Sequence, residues 1–333
     1  MPFQDIRGHE KQISLLRNAM AMNRTPHAYL FCGMKGVGKK TTALVFAKAL
    51  NCQKGPLDAC DACPSCRKID HRNHPDVIMI EPEGQFIRIK EVRDLQDQMK
   101  FRPFEGGRRI FILSDADQMN GPAAHALLKT LEEPTRANLL ILISSRPYQL
   151  PMTILSRCQH LRFNPLNRET VCRHLQEHLS IAPEAARMLA SSSGGSIGRA
   201  LEMINEDYLA FRDQMMNRLS DGQMKSPLQA LSLVSDFGQD RKGILERLEI
   251  MRTVFRDALV YKETADSGAL FNQDRLPLIQ SFAERLSGRN LLHHIIAVDR
   301  AARAIDQNAN KSLTLEAMMF KLPFNERAGS AIL

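Results

Sequence analysis

No apolar run in these 333 residues approaches the roughly 20 that a membrane-spanning helix requires, so a protein outside the membrane is expected. The opening residues, Met1-Pro2-Phe3-Gln4-Asp5, lack the basic start and apolar stretch of a secretory signal, which points to the cytoplasm. Internal repeats, coiled-coil heptads and low-complexity segments are missing too. The net charge of +8 permits contact with a polyanion, but the basic residues are scattered and form no arm. No helical segment clusters them as a DNA-reading helix would, which argues against a zinc-dependent DNA-binding regulator. Charge alone therefore assigns no partner.

What is present is length and pattern. With 44% apolar and 25% charged residues the chain can build two or three packed domains. Strand-like apolar runs at Ala28 to Cys32, Val77 to Ile80, Ile110 to Leu113 and Leu139 to Ser144 alternate with helical patterns. Those helices are expected over His9 to Met22, Lys39 to Asn51, Ile89 to Met99 and Gly121 to Glu133. Alternation of this kind predicts an α/β fold with a parallel sheet and a ligand site at the strands' carboxyl ends. After Asn164-Pro165 strand signals vanish. The sequence thus divides into an α/β domain over 1–165, a small three-helix lid over 166–206 and an all-α C-terminal domain over 207–333.

Gly33-Met34-Lys35-Gly36-Val37-Gly38-Lys39 follows a strand and opens a helix, the context of a phosphate-binding P-loop. Its glycines let backbone amides curl around phosphate oxygens, and the helix N-terminus adds favourable partial charge. Lys39 would reach the outer phosphates of ATP or ADP. Hydrolysis also needs a hydroxyl after the lysine, to ligate Mg²⁺. Lys40 stands there instead, and Thr41 lies one residue on, rotated about 100° around the helix. The strand Ile110-Phe111-Ile112-Leu113 should end in an Asp-Glu pair, for metal and attacking water. It runs into Ser114-Asp115-Ala116-Asp117, where Asp115 or Asp117 could substitute only if the strand ended later. Nucleotide binding stays open on this reading, and turnover by the chain itself is not expected.

Seven cysteines in a reducing compartment point to metal or buried thiols. Cys60, Cys63 and Cys66 form two overlapping C-x-x-C pairs, with Cys52 eight positions before the first. Four thiolates can close a tetrahedral structural Zn²⁺ site with no open coordination position. Cys32, Cys158 and Cys172 are expected to be ordinary core thiols.

Together these motifs resemble the bacterial clamp-loader family, AAA+ proteins that open a ring-shaped sliding clamp and place it on primed DNA. A four-cysteine insert after the P-loop helix is peculiar to that family's tau/gamma and delta-prime kinds. The resemblance continues in the run Ala123 to Pro134, which includes Leu127-Leu128-Lys129-Thr130-Leu131-Glu132-Glu133, and in Thr153-Ile154-Leu155-Ser156-Arg157-Cys158. It implies an AAA+ P-loop domain with a zinc knuckle, a lid and a helical collar, in a hetero-pentameric ring with tau/gamma and delta subunits. It further implies that Arg157 is an arginine finger reaching a neighbour's ATP in trans. Ser144 or Ser145 takes the family's sensor-1 position, while the sensor-2 arginine should fall at Gly198, with Arg199 adjacent on another helical azimuth. The damaged magnesium positions fit the non-hydrolysing delta-prime kind; a tau/gamma-type motor ATPase is the alternative.

Overall fold

Five short strands, β1 (Ala28–Cys32), β2 (Val77–Ile80), β3 (Arg109–Leu113), β4 (Asn138–Ser144) and β5 (Gln159–Arg162), pair in parallel in the order β2-β3-β4-β1-β5. The structure, a computed structural model, describes residues 1–322 apart from 56, 83, 85, 106, 136, 206–207, 221–230 and 232. β3 and β4 are buried along their whole length, so each is a near-continuous apolar run, as a sheet covered on both faces demands. The four strands read from the sequence are all there. β5 was not expected, because Gln159, His160 and Arg162 are exposed and only Leu161 is buried. Its place rests on backbone pairing to β1 at the sheet edge, which leaves no apolar run to read.

Before β1 comes α1 (Glu10–Ala21), and between the strands lie α2 (Lys39–Asn51), α3 (Pro64–Asp70), α4 (Ile89–Met99), α5 (Gly121–Glu132) and the single turn α6 (Met152–Leu155). Side-chain caps start α3 and α5. Asn120 caps α5 by accepting the Ala123 N–H at 3.0 Å, with a proline in the first turn. α4 buries Val92 and Leu95 in the same core as Ala123, Leu127 and Leu131 of α5. Each of the valine and leucine side chains contributes roughly 1.5–3 kcal/mol by leaving water. Because all strands run the same way, the tips of β1, β3 and β4 gather at one edge of the sheet.

The chain forms two compact units, Met1–Ser180 with Ser193–Ala200, and Ile181–Ser192 with the described residues from Leu201 on. The boundary expected between 206 and 207 lies outside the described residues. The second unit is helical, including the helices Pro183–Ser192, Tyr208–Ser220, Arg241–Thr264, Leu276–Arg285, Gly288–Asp306 and Lys311–Phe320. The long helix Arg241–Thr264 packs against the two that follow, and Phe255 sits between the rings of Phe282 and His294 at 5.5 and 4.6 Å. Arg212, 1% exposed, is pinned by Asp274 at 2.8 and 2.9 Å and by Asn272 Oδ1 at 2.8 Å. Among the described residues no helix is long and apolar enough to cross a membrane.

Candidate functional site

The phosphate loop leaves β1 at Cys32 and enters α2 through Gly38, whose φ of +111° favours glycine. Val37 is buried, and its carbonyl meets His9 Nε2 at 2.8 Å. Burial keeps the His9 imidazole below its usual pKa, so the neutral ring donates from Nε2. Lys39 does not project into open space. Its Nζ donates to Gly33 O at 2.6 Å and Met34 O at 2.7 Å, both within the loop. Burial lowers the Lys39 pKa, opposed by the carboxylates of Asp115 and Asp117.

A second layer closes on this loop from Ser193–Ala200. Ser196 Oγ donates to Lys35 O at 2.8 Å, and the Gly198 N–H donates to Gly36 O at 2.9 Å. A Cβ on Gly198 would stand 2.7 Å from Gly36 Cα, and one on Gly36 would stand 2.5 Å from Ser196 Oγ. The glycine at the expected sensor-2 position is therefore a close-packing residue. Sequence reading saw only a missing arginine there. Arg199 donates its backbone N–H to Ser196 Oγ at 3.1 Å.

The two positions that should serve magnesium are otherwise occupied. Lys40 forms an ion pair with Glu81, just past the tip of β2; that hydrogen bond holds the Glu81 carboxyl below the ordinary carboxylate range. Thr41 is exposed on α2. At the tip of β3, Ser114 is buried and its Oγ has no partner among the described residues. Asp115 adopts a left-handed backbone with φ +49°. Asp117 Oδ1 accepts from Ser144 Oγ at 2.5 Å and the Ser145 N–H at 3.1 Å, so it ties β3 to β4. Glu81 and Asp117 thus serve the protein's own groups. The sequence-predicted residues Gly33, Gly36, Val37, Gly38, Lys39, Lys40, Thr41, Asp115 and Ser144 share the sheet's carboxyl edge, with Lys40 held by Glu81 and Ser144 by Asp117.

Cys52, Cys60, Cys63 and Cys66 are brought together, with all four Sγ atoms within 4.8 Å of one another. Tetrahedral Zn–S bonds of about 2.3 Å would separate the sulfurs by about 3.8 Å, so the donor set fits a metal. Cys63 caps α3, its Sγ accepting the Cys66 N–H at 3.4 Å, and Cys60 Sγ accepts the Cys63 N–H at 3.3 Å. The backbone N–H groups of Ala62 and Cys63 hold the Cys60 thiol at about 6, whereas burial pushes Cys66 up. The loop between is anchored outward. Asp58 takes Arg17 and the backbone of Phe3 and Ala59, and buried Lys48 bonds Asp61 and Asp70. Burial pushes Cys158 to about 12 and raises Cys32, which leaves both as core thiols.

Arg157 follows α6 on the surface of the first unit. Its guanidinium meets Glu132 Oε1 at 2.8 Å, Thr153 O at 3.0 Å and Ser156 Oγ at 3.3 Å. It remains 36% exposed, enough to be offered outward.

Family models described as "DNA polymerase III, delta subunit" and "DNA polymerase III, delta subunit, C terminal" match residues 8–167 and 206–323. The DNA polymerase III subunit delta' of Bacillus subtilis is 30% identical over 314 residues, 93% of this chain and 94% of that protein. The chain belongs to the DNA polymerase III delta-prime family. The tau subunit of B. subtilis is 31% identical over 283 residues, and that of Escherichia coli 33% over 241. Those matches cover 50% and 37% of the tau chains and 78% and 70% of this one. Likeness to a delta-prime subunit runs nearly end to end in both proteins, while likeness to tau stops within the longer partner.

Proposed function

We propose that this chain is a non-hydrolysing delta-prime subunit of the bacterial clamp loader. It would join tau/gamma and delta subunits in a hetero-pentameric ring that places the sliding clamp on primed DNA. The delta-prime and tau relatives support that setting. The observation that carries the non-hydrolysing role is the Lys40–Glu81 ion pair, which puts an ammonium and its counter-ion where a magnesium ligand is needed. The uncharged Ser114 and the Gly36–Gly198 contact point the same way. The loop as arranged does not fit Mg²⁺-ATP, so no turnover is expected of it.

The contribution to catalysis would be Arg157, reaching the γ-phosphate on a neighbouring motor subunit. A guanidinium supplied in trans stabilises charge on the transferring phosphoryl group and is worth ~10³–10⁵ in rate at the site it serves. Cys52, Cys60, Cys63 and Cys66 would hold one structural Zn²⁺, which supplies folding free energy and no chemistry. The working partition we favour is an AAA+ domain over 1–165, a lid over 166–206 and a collar over 207–333.

The test is ATP turnover. The isolated chain should show no Mg²⁺-dependent hydrolysis. In a complex reconstituted with its partners, Arg157→Ala should leave assembly intact and lower DNA-stimulated turnover by the share of the site it faces. Turnover by the isolated chain that is abolished by Lys39→Ala would instead favour a tau/gamma-type motor.

A further inference from the structure

Among the described residues Arg157 has three hydrogen-bond acceptors of unequal kind. Thr153 O and Ser156 Oγ belong to its own turn and both take protons from Nη1. Glu132 Oε1 is 2.8 Å from Nη2 and comes from a different element, the last residue of α5. A guanidinium carries five N–H donors, so three such contacts leave two for an incoming oxyanion. The side chain is therefore oriented without being used up. Glu132 itself stands where the α5 macrodipole disfavours a carboxylate, so helix chemistry gives no reason for an acid at that position. The cation opposite does.

We propose that Glu132 is a positioning residue for Arg157: it orients the guanidinium so that its remaining donors face a neighbouring subunit's nucleotide. This rests on the trans role of Arg157 given above. A free arginine loses several rotamers when it binds a phosphate, whereas a tethered one has already lost them. The pair is half-exposed and hence weak, so a polyanionic phosphate can share the guanidinium or draw it away. A carboxylate suits the task better than an amide, since its charge-assisted bond is shorter and stronger.

The experiment is DNA-stimulated ATPase of the reconstituted complex carrying Glu132→Gln, Glu132→Asp, Arg157→Ala or the double variant Glu132→Gln/Arg157→Ala. Glu132→Gln should lower kcat about two- to five-fold, the size expected for one half-exposed pair. KM for ATP and assembly should not change, and Glu132→Asp, which keeps the charge, should stay nearer the unaltered complex. In the Arg157→Ala background, Glu132→Gln should have no further effect, a coupling that a merely structural role would not produce. An unchanged kcat in Glu132→Gln beside a lowered one in Arg157→Ala overturns the positioning role and leaves the arginine's role standing. A raised kcat overturns it by making Glu132 a restraint, and failed assembly of both single Glu132 variants overturns it by making the residue an interface contact. If Arg157→Ala has no effect, the underlying trans role fails and this inference falls with it.

Discussion

The backbone N–H of Gly198 donates to the carbonyl of Gly36 at 2.9 Å, which brings the start of the helix Ile197–Asn205 directly onto the phosphate loop. Neither position tolerates a side chain, since a Cβ at 198 would lie 2.7 Å from Gly36 Cα and the loop glycine has φ +73°. Two backbones meeting so closely cannot yield as a flexible side chain would. Gly198→Ala should therefore destabilise the first unit by about 1–3 kcal/mol, an overpacking cost read by urea or thermal unfolding. Gly198→Arg, which puts the family's sensor-2 residue back, should do at least as much harm and restore no nucleotide chemistry.

Lys40→Thr supplies the missing magnesium hydroxyl, yet hydrolysis should not return. Ser114 still offers the metal no charge, and Asp117 remains held by Ser144 and Ser145. A Mg²⁺-dependent rate in isolated Lys40→Thr protein would show that the defect lies at one position only.

Metal analysis should find one zinc per chain. A strong chelator should release it and expose four reactive thiols, with loss of order in α3, whose N-terminal cap is the sulfur of Cys63. Cys60→Ser should weaken retention of the ion. A metal-free preparation with unchanged unfolding behaviour would remove the knuckle.

Arg212→Ala should cost the second unit about 3 kcal/mol, near the lower end for a broken buried ion pair, because Asp274 is 33% exposed and can regain water. Asn272 is 1% exposed and cannot, so its side-chain oxygen would lose a donor inside the core. Denaturant unfolding measures the loss.

His9 gives a pH dependence of definite sign. Its folded pKa lies below the usual 6.5. The unfolded chain therefore takes up the proton first as pH falls, and stability that is complete above about pH 6.5 declines below it. His74 and His174 are lowered by burial too, so His9→Gln should flatten only part of that slope. An unchanged slope would mean that the ring titrates alike in the folded and unfolded chain.

The cysteine spacing and the glycine pattern were legible because metal and phosphate chemistry fix residue type and interval together. The strands β1, β3 and β4 were legible because both sheet faces are covered there, so every residue of β3 and β4 had to be buried, and β2 because all four of its residues are apolar. β5 escaped because Gln159-His160-Leu161-Arg162 carries neither an apolar run nor a periodic signal, whereas the other edge strand, β2, is apolar throughout. The partners Glu81 for Lys40, Asp117 for Ser144 and Glu132 for Arg157 escaped for another reason. Each joins positions 25 to 41 residues apart, on separate elements, and no local pattern announces such a pair. Arg212 hid similarly, since a lone arginine in a helix reads as a solvated charge until Asp274 is seen opposite it.

The contact of residue 198 with residue 36 also bears on how such a chain can change over generations. A nucleotide pocket lost by decay could be repaired one substitution at a time. Under the non-hydrolysing role proposed above, that ground has been built over: each reverting step at 40, 114 or 198 first meets an ion pair, a dry strand tip or a neighbouring backbone fitted to the present residue. Intermediate sequences would fold less well before regaining any use, so the path back runs through a fitness valley that the path forward need not have crossed.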